Sequence, residues 1–209
     1  MYHNYIKRMN SLSSIQGINN KGFTVFVPPI ITVANGAFTS PSVSYNGTTF
    51  VASRTGTPYT SNNSALPGWN LSITYSNSSQ YVDVFTRSNS SELSTTYPDY
   101  LGVDYVGTIG TITISQSITI PNTGTYQLSF YALPSSNYTT ALTISASFGS
   151  QNMSATSLNP SATSWVQLTL NNSITSTGSY TISITMYNGN SANVPSLYIT
   201  NVQVTYLHA

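Results

Sequence analysis

From Gly107 onward, apolar residues recur at every second position, and that period admits one secondary structure. Ile112 and Ile114 share a parity that Ile118 and Ile120 keep. After the turn sequence Pro121-Asn122-Thr123-Gly124, Tyr126, Leu128 and Phe130 face one way and Gln127, Ser129 and Tyr131 the other. The same period returns in Leu142, Ile144, Ala146 and Phe148, in Val166, Leu168 and Leu170, and in Tyr180, Ile182, Ile184 and Met186. Successive side chains of a strand point to opposite faces, so each run predicts a strand with one apolar and one polar face. Strands of that kind bury their apolar faces when antiparallel sheets pack together. The expected fold is therefore all-β, an antiparallel jelly-roll β-sandwich with an extended N-terminal arm.

The arm is expected over residues 1–22 and the sandwich over 23–209. The arm is polar, and Ile6, Leu12, Ile15 and Ile18 are too sparse for an amphipathic helix but suit an extended segment anchored on a neighbour. Lys7 and Arg8 add its basic pair; the polar stretch Met9–Ser14 that follows reads against a conventional signal peptide. A short strand is expected at Phe23–Val27, stopped by Pro28-Pro29, and another from Ile30 to about Gly36. Residues 40–68 and 88–107 read as irregular, with strands at Leu71–Tyr75 and Tyr81–Phe85 between them. Near the C-terminus Leu197 and Ile199 alternate on odd positions but Val202, Val204 and Tyr206 on even ones, which predicts an extra residue near Thr200-Asn201, a β-bulge. The segment Ser117–Tyr126 is echoed by Ser173–Tyr180, each a strand, a Gly-containing turn and a strand opened by Tyr, as in repeated hairpins.

Only five basic and four acidic residues occur in 209, with a net charge of +1. Past Arg87 there is no Lys or Arg, so a basic groove that neutralises phosphates is not expected over the second half, and no nucleic-acid partner follows. The chain has no cysteine, which removes thiol nucleophiles and thiolate metal sites. No apolar run reaches bilayer-spanning length, so no membrane insertion is expected. The acidic candidates Asp83, Glu92, Asp99 and Asp104 read as loop or strand residues more than as a glycosidase pair. His3 and His208 sit at the chain ends, without the rigid support a catalytic histidine needs. No enzyme activity is expected. Eight Asn-x-Ser/Thr triplets begin at Asn46, Asn62, Asn70, Asn77, Asn89, Asn137, Asn152 and Asn171, as chance produces in so Asn-, Ser- and Thr-rich a chain.

Several short motifs occur in a familiar order. Val33-Ala34-Asn35-Gly36-Ala37-Phe38 is followed by Pro67-Gly68-Trp69, then by Gln116 and the Tyr-x-Leu-x-Phe strand of residues 125–132, and finally by Ile199-Thr200-Asn201-Val202. In this order the chain resembles carbohydrate-binding-module and DUF642-type jelly rolls of the galactose-binding-like group over residues 30–206. Such domains often carry acidic residues after the first Phe and before the closing Asn-Val that help hold calcium. This chain has Thr39 and Thr200 there, so no metal or other cofactor is expected. In the family pattern the Trp of Pro-Gly-Trp more often packs in the core than faces a ligand.

Trp165 has the opposite parity to Val166, Leu168 and Leu170, and Tyr131 and Tyr187 share that outward parity in their strands. Together with Trp69 they are the candidates for stacking on sugar rings or for meeting a neighbouring subunit. The arm, the near-neutral surface and the cysteine-free sandwich give the leading expectation: a non-enzymatic structural protein of a viral particle. That expectation covers a minor capsid, fibre or decoration component located in the virion, with other structural proteins of the assembly as its partners. The alternative is a carbohydrate-binding module used in adhesion or attachment, with surface glycans as partners.

Overall fold

Alternation builds two sheets. The computed structural model describes residues 27–39, 48–52, 66–75, 81–88, 97, 99–106, 109–134, 142–159, 164–189 and 196–208. The expected arm, with Ile6, Lys7, Arg8, Leu12, Ile15 and Ile18, and all of the Phe23–Val27 run except Val27, lie outside these residues. The strands are β1 (Thr48–Ala52), β2 (Asn70–Tyr75), β3 (Tyr81–Ser88), β4 (Asp99–Val106), β5 (Gly110–Ile120) and β6 (Gly124–Pro134). They continue as β7 (Leu142–Phe148), β8 (Gln151–Leu158), β9 (Val166–Ile174), β10 (Gly178–Asn188) and β11 (Ser196–His208). A six-stranded sheet runs β1-β3-β4-β11-β6-β9 and a five-stranded sheet β2-β5-β10-β7-β8, with every pairing antiparallel.

In β5, β6, β7 and β10 the inward rows are those the period picked out, whereas Val166 of β9, expected inward, is 40% exposed. Ile112, Ile114, Ile118 and Ile120 of β5 pack with Ile182, Ile184 and Met186 of β10 against Leu128 and Phe130 of β6, all in one buried cluster. Burying side chains of this size contributes about 1.5–3 kcal/mol each, which is what holds the sheets face to face. Tyr105 joins the sheets through the core by donating its hydroxyl to the Met186 carbonyl at 2.9 Å, and burial raises its pKa well above that of a free phenol. The expected bulge is present: Thr200 pairs with Tyr131 but Gln203 with Ser129, so β11 spends one residue more than β6, and Asn201 takes a left-handed φ of 52°.

Three expectations are corrected, the first that residues 40–68 are irregular, since they hold β1. Residues 27–33 are extended yet make no sheet ladder. This strap runs along the half of β11 that lies past its pairing with β4 and the half of β5 that lies past its pairing with β2. Covering a free edge is one of the ways sandwiches block stray strand pairing. The irregular stretch 88–107 contains the regular strand β4, whose Tyr100, Leu101, Val103 and Tyr105 are all buried. Burial on both faces erased the polar alternation that would have revealed it. Gly102 is required there, since a Cβ would run into the Phe85 ring.

The internal echo is real but is not a pair of hairpins. Gly124 and Gly178 adopt φ of 141° and 142°, and the tyrosine two residues later donates to a carbonyl four residues back: Tyr126 to Asn122 at 2.8 Å and Tyr180 to Ser176 at 2.7 Å. Each turn joins strands of different sheets, β5 to β6 and β9 to β10. The repeat is therefore an arch that carries the chain across the sandwich, latched by a tyrosine.

Candidate functional site

The motif residues form a seam between the strap and the body. The Gln116 side chain accepts from the Ala34 amide at 2.8 Å and donates to the carbonyls of Ala34 at 2.9 Å and Gly68 at 2.6 Å. Asn35, at φ 50°, opens a turn closed by Phe38, and its carbonyl also accepts the Trp69 indole at 3.3 Å. Gly36 lies so close to β11 that a Cβ would collide with the Val202 carbonyl. The Phe38 and Trp69 rings lie 5.8 Å apart, and Trp69 is 2% exposed. Trp69 is thus a packing residue of the seam, away from any exposed ligand surface. Two shallow grooves of about 390 and 520 Å³ flank the strap. Their walls are mostly small, aliphatic or proline side chains, with Tyr206 the single ring, which is poor material for a recognition site.

The outer faces of the two sheets differ. On the five-stranded sheet the rows Asn70–Ser115–Ser183–Ser147, Ser72–Thr113–Thr185–Ser145 and Thr74–Thr111–Tyr187–Thr143 cross four strands in register. Except for Asn70 and Tyr187 every member is Ser or Thr, and hydroxyls pair across strands, Thr113 with Thr185 at 3.0 Å and Ser147 with Ser183 at 2.7 Å. Tyr187, 41% exposed, stands on this hydroxyl face.

On the six-stranded sheet the outer face is aromatic. The register aligns Phe85, Gly102, Tyr198 and Leu133 in one row and Thr200, Tyr131 and Gln167 in the next. Tyr100 leads into β4 on this side, and Trp165 immediately precedes β9. The rings converge: Tyr97 is 4.6 Å from Tyr131 and 5.7 Å from Trp165, while Tyr100 is 6.2 Å from Trp165 and 5.2 Å from Tyr198. These are the offset and edge-on separations that aromatic pairs favour. Thr200, at one of the positions where the resembling domains carry an acid, donates to the Asp99 carbonyl at 2.7 Å and so fixes the start of β4. Among the described residues no group of three or more His, Asp or Glu side chains could hold a metal ion.

Two polar atoms in this cluster are buried without partners, the Tyr100 hydroxyl and the Trp165 indole nitrogen. A buried donor left unmade costs about 1–3 kcal/mol, so a ligand that supplies acceptors there gains by doing so. Desolvation, then a hydrogen bond to the Tyr131 hydroxyl and its charge, push the Tyr97 phenol up to about 12. Trp165 and Tyr131, both expected to face outward, are brought together, whereas Tyr187 lies on the other sheet and Trp69 in the seam. Tyr97 and Tyr100 escaped notice because they fall in the stretch read as irregular. Tyr198 had a signal: it is the odd member out between the inward Leu197 and Ile199.

No protein-family model and no curated protein sequence matches the chain. Among solved structures, TmCBM61 in complex with β-1,4-galactotriose matches at 12% identity and a TM-score of 0.48, over 66% of this chain and 88% of its own. The arabinose-bound α-L-arabinofuranosidase MgGH51 matches at 13% and 0.49, over 85% of this chain and 26% of its own. The CBM22-1 xylan-binding domain from Paenibacillus barcinonensis Xyn10C matches at 13% and 0.38, over 79% of this chain and 99% of its own.

The fold is an antiparallel β-sandwich that resembles the jelly rolls of carbohydrate-binding modules.

The expectation of a viral structural protein is corrected at this point, together with its virion location and its partners among other structural proteins of an assembly. Carbohydrate-binding modules recur among the similar structures, and a tailspike domain of Bacteriophage CBA120 matches at 18% identity and 0.42 over 68% of this chain and 20% of its own. The expectation had rested on the arm and on surface neutrality, and neutrality suits an uncharged ligand as well as it suits a packed subunit.

Proposed function

We propose that the chain is a non-catalytic carbohydrate-binding module that takes a neutral glycan on the outer face of its six-stranded sheet. The observation that carries this reading is the convergence of Trp165, Tyr131, Tyr97, Tyr100 and Tyr198 around two buried, unpartnered donors. Sugar rings present an apolar C–H face to an aromatic ring and hydroxyls at the rim. A cluster of rings with waiting donors answers both, as ligand sites generally combine apolar walls with a few placed polar groups. The polar side chain of Gln167, in register with Tyr131, extends the rim.

Glycan-array binding by the purified protein, repeated with Trp165→Ala and Tyr131→Ala, tests the reading. Binding by the native chain that each substitution weakens at least tenfold, about 1.4 kcal/mol, is the expected result. A blank array from the correctly folded native chain and from correctly folded Tyr97→Ala protein removes the proposal.

A further inference from the structure

We infer that Tyr97 stands in the free protein where the sugar ring will lie, and that a bound glycan displaces it. The inference rests on the carbohydrate reading above and names how that site is regulated. Tyr97 stacks on Tyr131 at 4.6 Å with a tilt of 36°, the separation and attitude of a ring lying on a platform, and meets Trp165 edge-on at 5.7 Å. Its hydroxyl lies within hydrogen-bonding reach of the Tyr131 hydroxyl, so the face of Tyr131 is occupied from within the chain.

The substitution is incomplete in a way that points to the ligand. A phenol has a single hydroxyl, and here it lies by that of Tyr131. The Tyr100 hydroxyl and the Trp165 indole nitrogen, on rings 6.2 Å apart, are left without partners, although Tyr100 is fully buried. A pyranose fills a comparable ring-sized space and carries a ring oxygen and hydroxyls on successive carbons. It can stack on Tyr131 and still offer acceptors to those two donors.

Tyr97 also lies outside any strand. It precedes β4, whose ladder with β3 begins at Asp99, so moving the ring breaks no strand pairing. Tyr100, two residues into β4, is held by the sheet and stays as the floor of the site. The apparent affinity is the intrinsic one multiplied by the fraction of time the platform is free of Tyr97, which makes the residue a brake on every ligand of this site alike.

The experiment measures native protein, Tyr97→Ala and Tyr97→Phe on an array of neutral β-linked gluco-, galacto- and xylo-oligosaccharides, with thermal unfolding as the check on folding. Tyr97→Ala is expected to bind about tenfold more tightly than the native chain to the same oligosaccharide. Binding by Tyr97→Ala where the native chain shows none supports the inference equally. Unchanged or weaker binding by Tyr97→Ala overturns it, leaving Tyr97 as a wall of the site and the carbohydrate reading intact. If Tyr97→Ala does not fold, Tyr97→Phe decides: it frees the Tyr131 hydroxyl, so a gain of about threefold supports displacement and no gain overturns it. If neither the native chain nor the variants bind any oligosaccharide, the carbohydrate reading fails and this inference falls with it.

Discussion

The two outer faces of the sandwich arise from the same alternation and have become opposite surfaces. The five-stranded sheet shows solvent rows of Ser and Thr whose hydroxyls satisfy one another across strands. The six-stranded sheet puts Tyr and Trp in the equivalent positions, so tightly that Tyr100 and Leu133 are as buried there as core residues. A polar outward face is the default of a half-buried antiparallel sheet and needs no ligand to explain it. An outward face that hides large rings and strands two donors departs from that default, and such departures concentrate where proteins bind things.

Substitutions can break or sharpen this contrast. The largest effect is expected from Tyr100→Ala, which should cost about 3 kcal/mol in chemical denaturation because it empties a fully buried aromatic site. Tyr100→Phe, which removes only an unpartnered hydroxyl, should leave stability unchanged or slightly higher while weakening glycan binding. A loss of stability in the Phe variant would show that the hydroxyl has a partner after all. Gly102→Ala follows at about 2 kcal/mol, since the added methyl must displace the Phe85 ring; a neutral result would mean that the aromatic face is loosely packed.

Raising the pH should act on the tyrosines next. Burial raises the pKa of Tyr97, Tyr105 and Tyr126 above that of an unfolded tyrosine, near 10. Above that pH the unfolded chain releases protons that the folded chain keeps. The stability these groups contribute is therefore complete below about pH 10 and is lost as the pH climbs toward 12. Thermal unfolding across that range should show a falling midpoint, with a shallower fall in Tyr97→Phe. The smallest effect is expected on the hydroxyl face: Thr185→Ala should change stability by no more than about 0.5 kcal/mol and leave glycan binding untouched. A binding defect in that variant would move the site to the other sheet, where Tyr187 stands.

Much of this fold was legible in the chain. The rows of β5, β6, β7 and β10 follow from a period of two, and the bulge near Asn201 from a change of parity. Trp165 and Tyr131 were readable as outward for the same reason. Two separate causes hid other features. β4 is covered on both faces and so shows no alternation, and with it Tyr97 and Tyr100 dropped out of view. The paired arches looked like hairpins because the sequence of a turn does not say whether the chain returns to its own sheet or crosses to the other.

Sequence alone determined that this chain forms strands, which residues on each face them inward, and how little charge any ligand could meet. Those properties are local, set by backbone sterics and by the preference of apolar side chains for burial. Tertiary structure decided which outward faces belong together. Trp165, Tyr131 and Tyr100 lie on three different segments, and only the sheet order β4-β11-β6-β9 brings Tyr100 to Trp165 and lets Tyr97 touch both Tyr131 and Trp165. Strand order depends on long-range pairing summed over the whole sandwich, and no window of the sequence contains it.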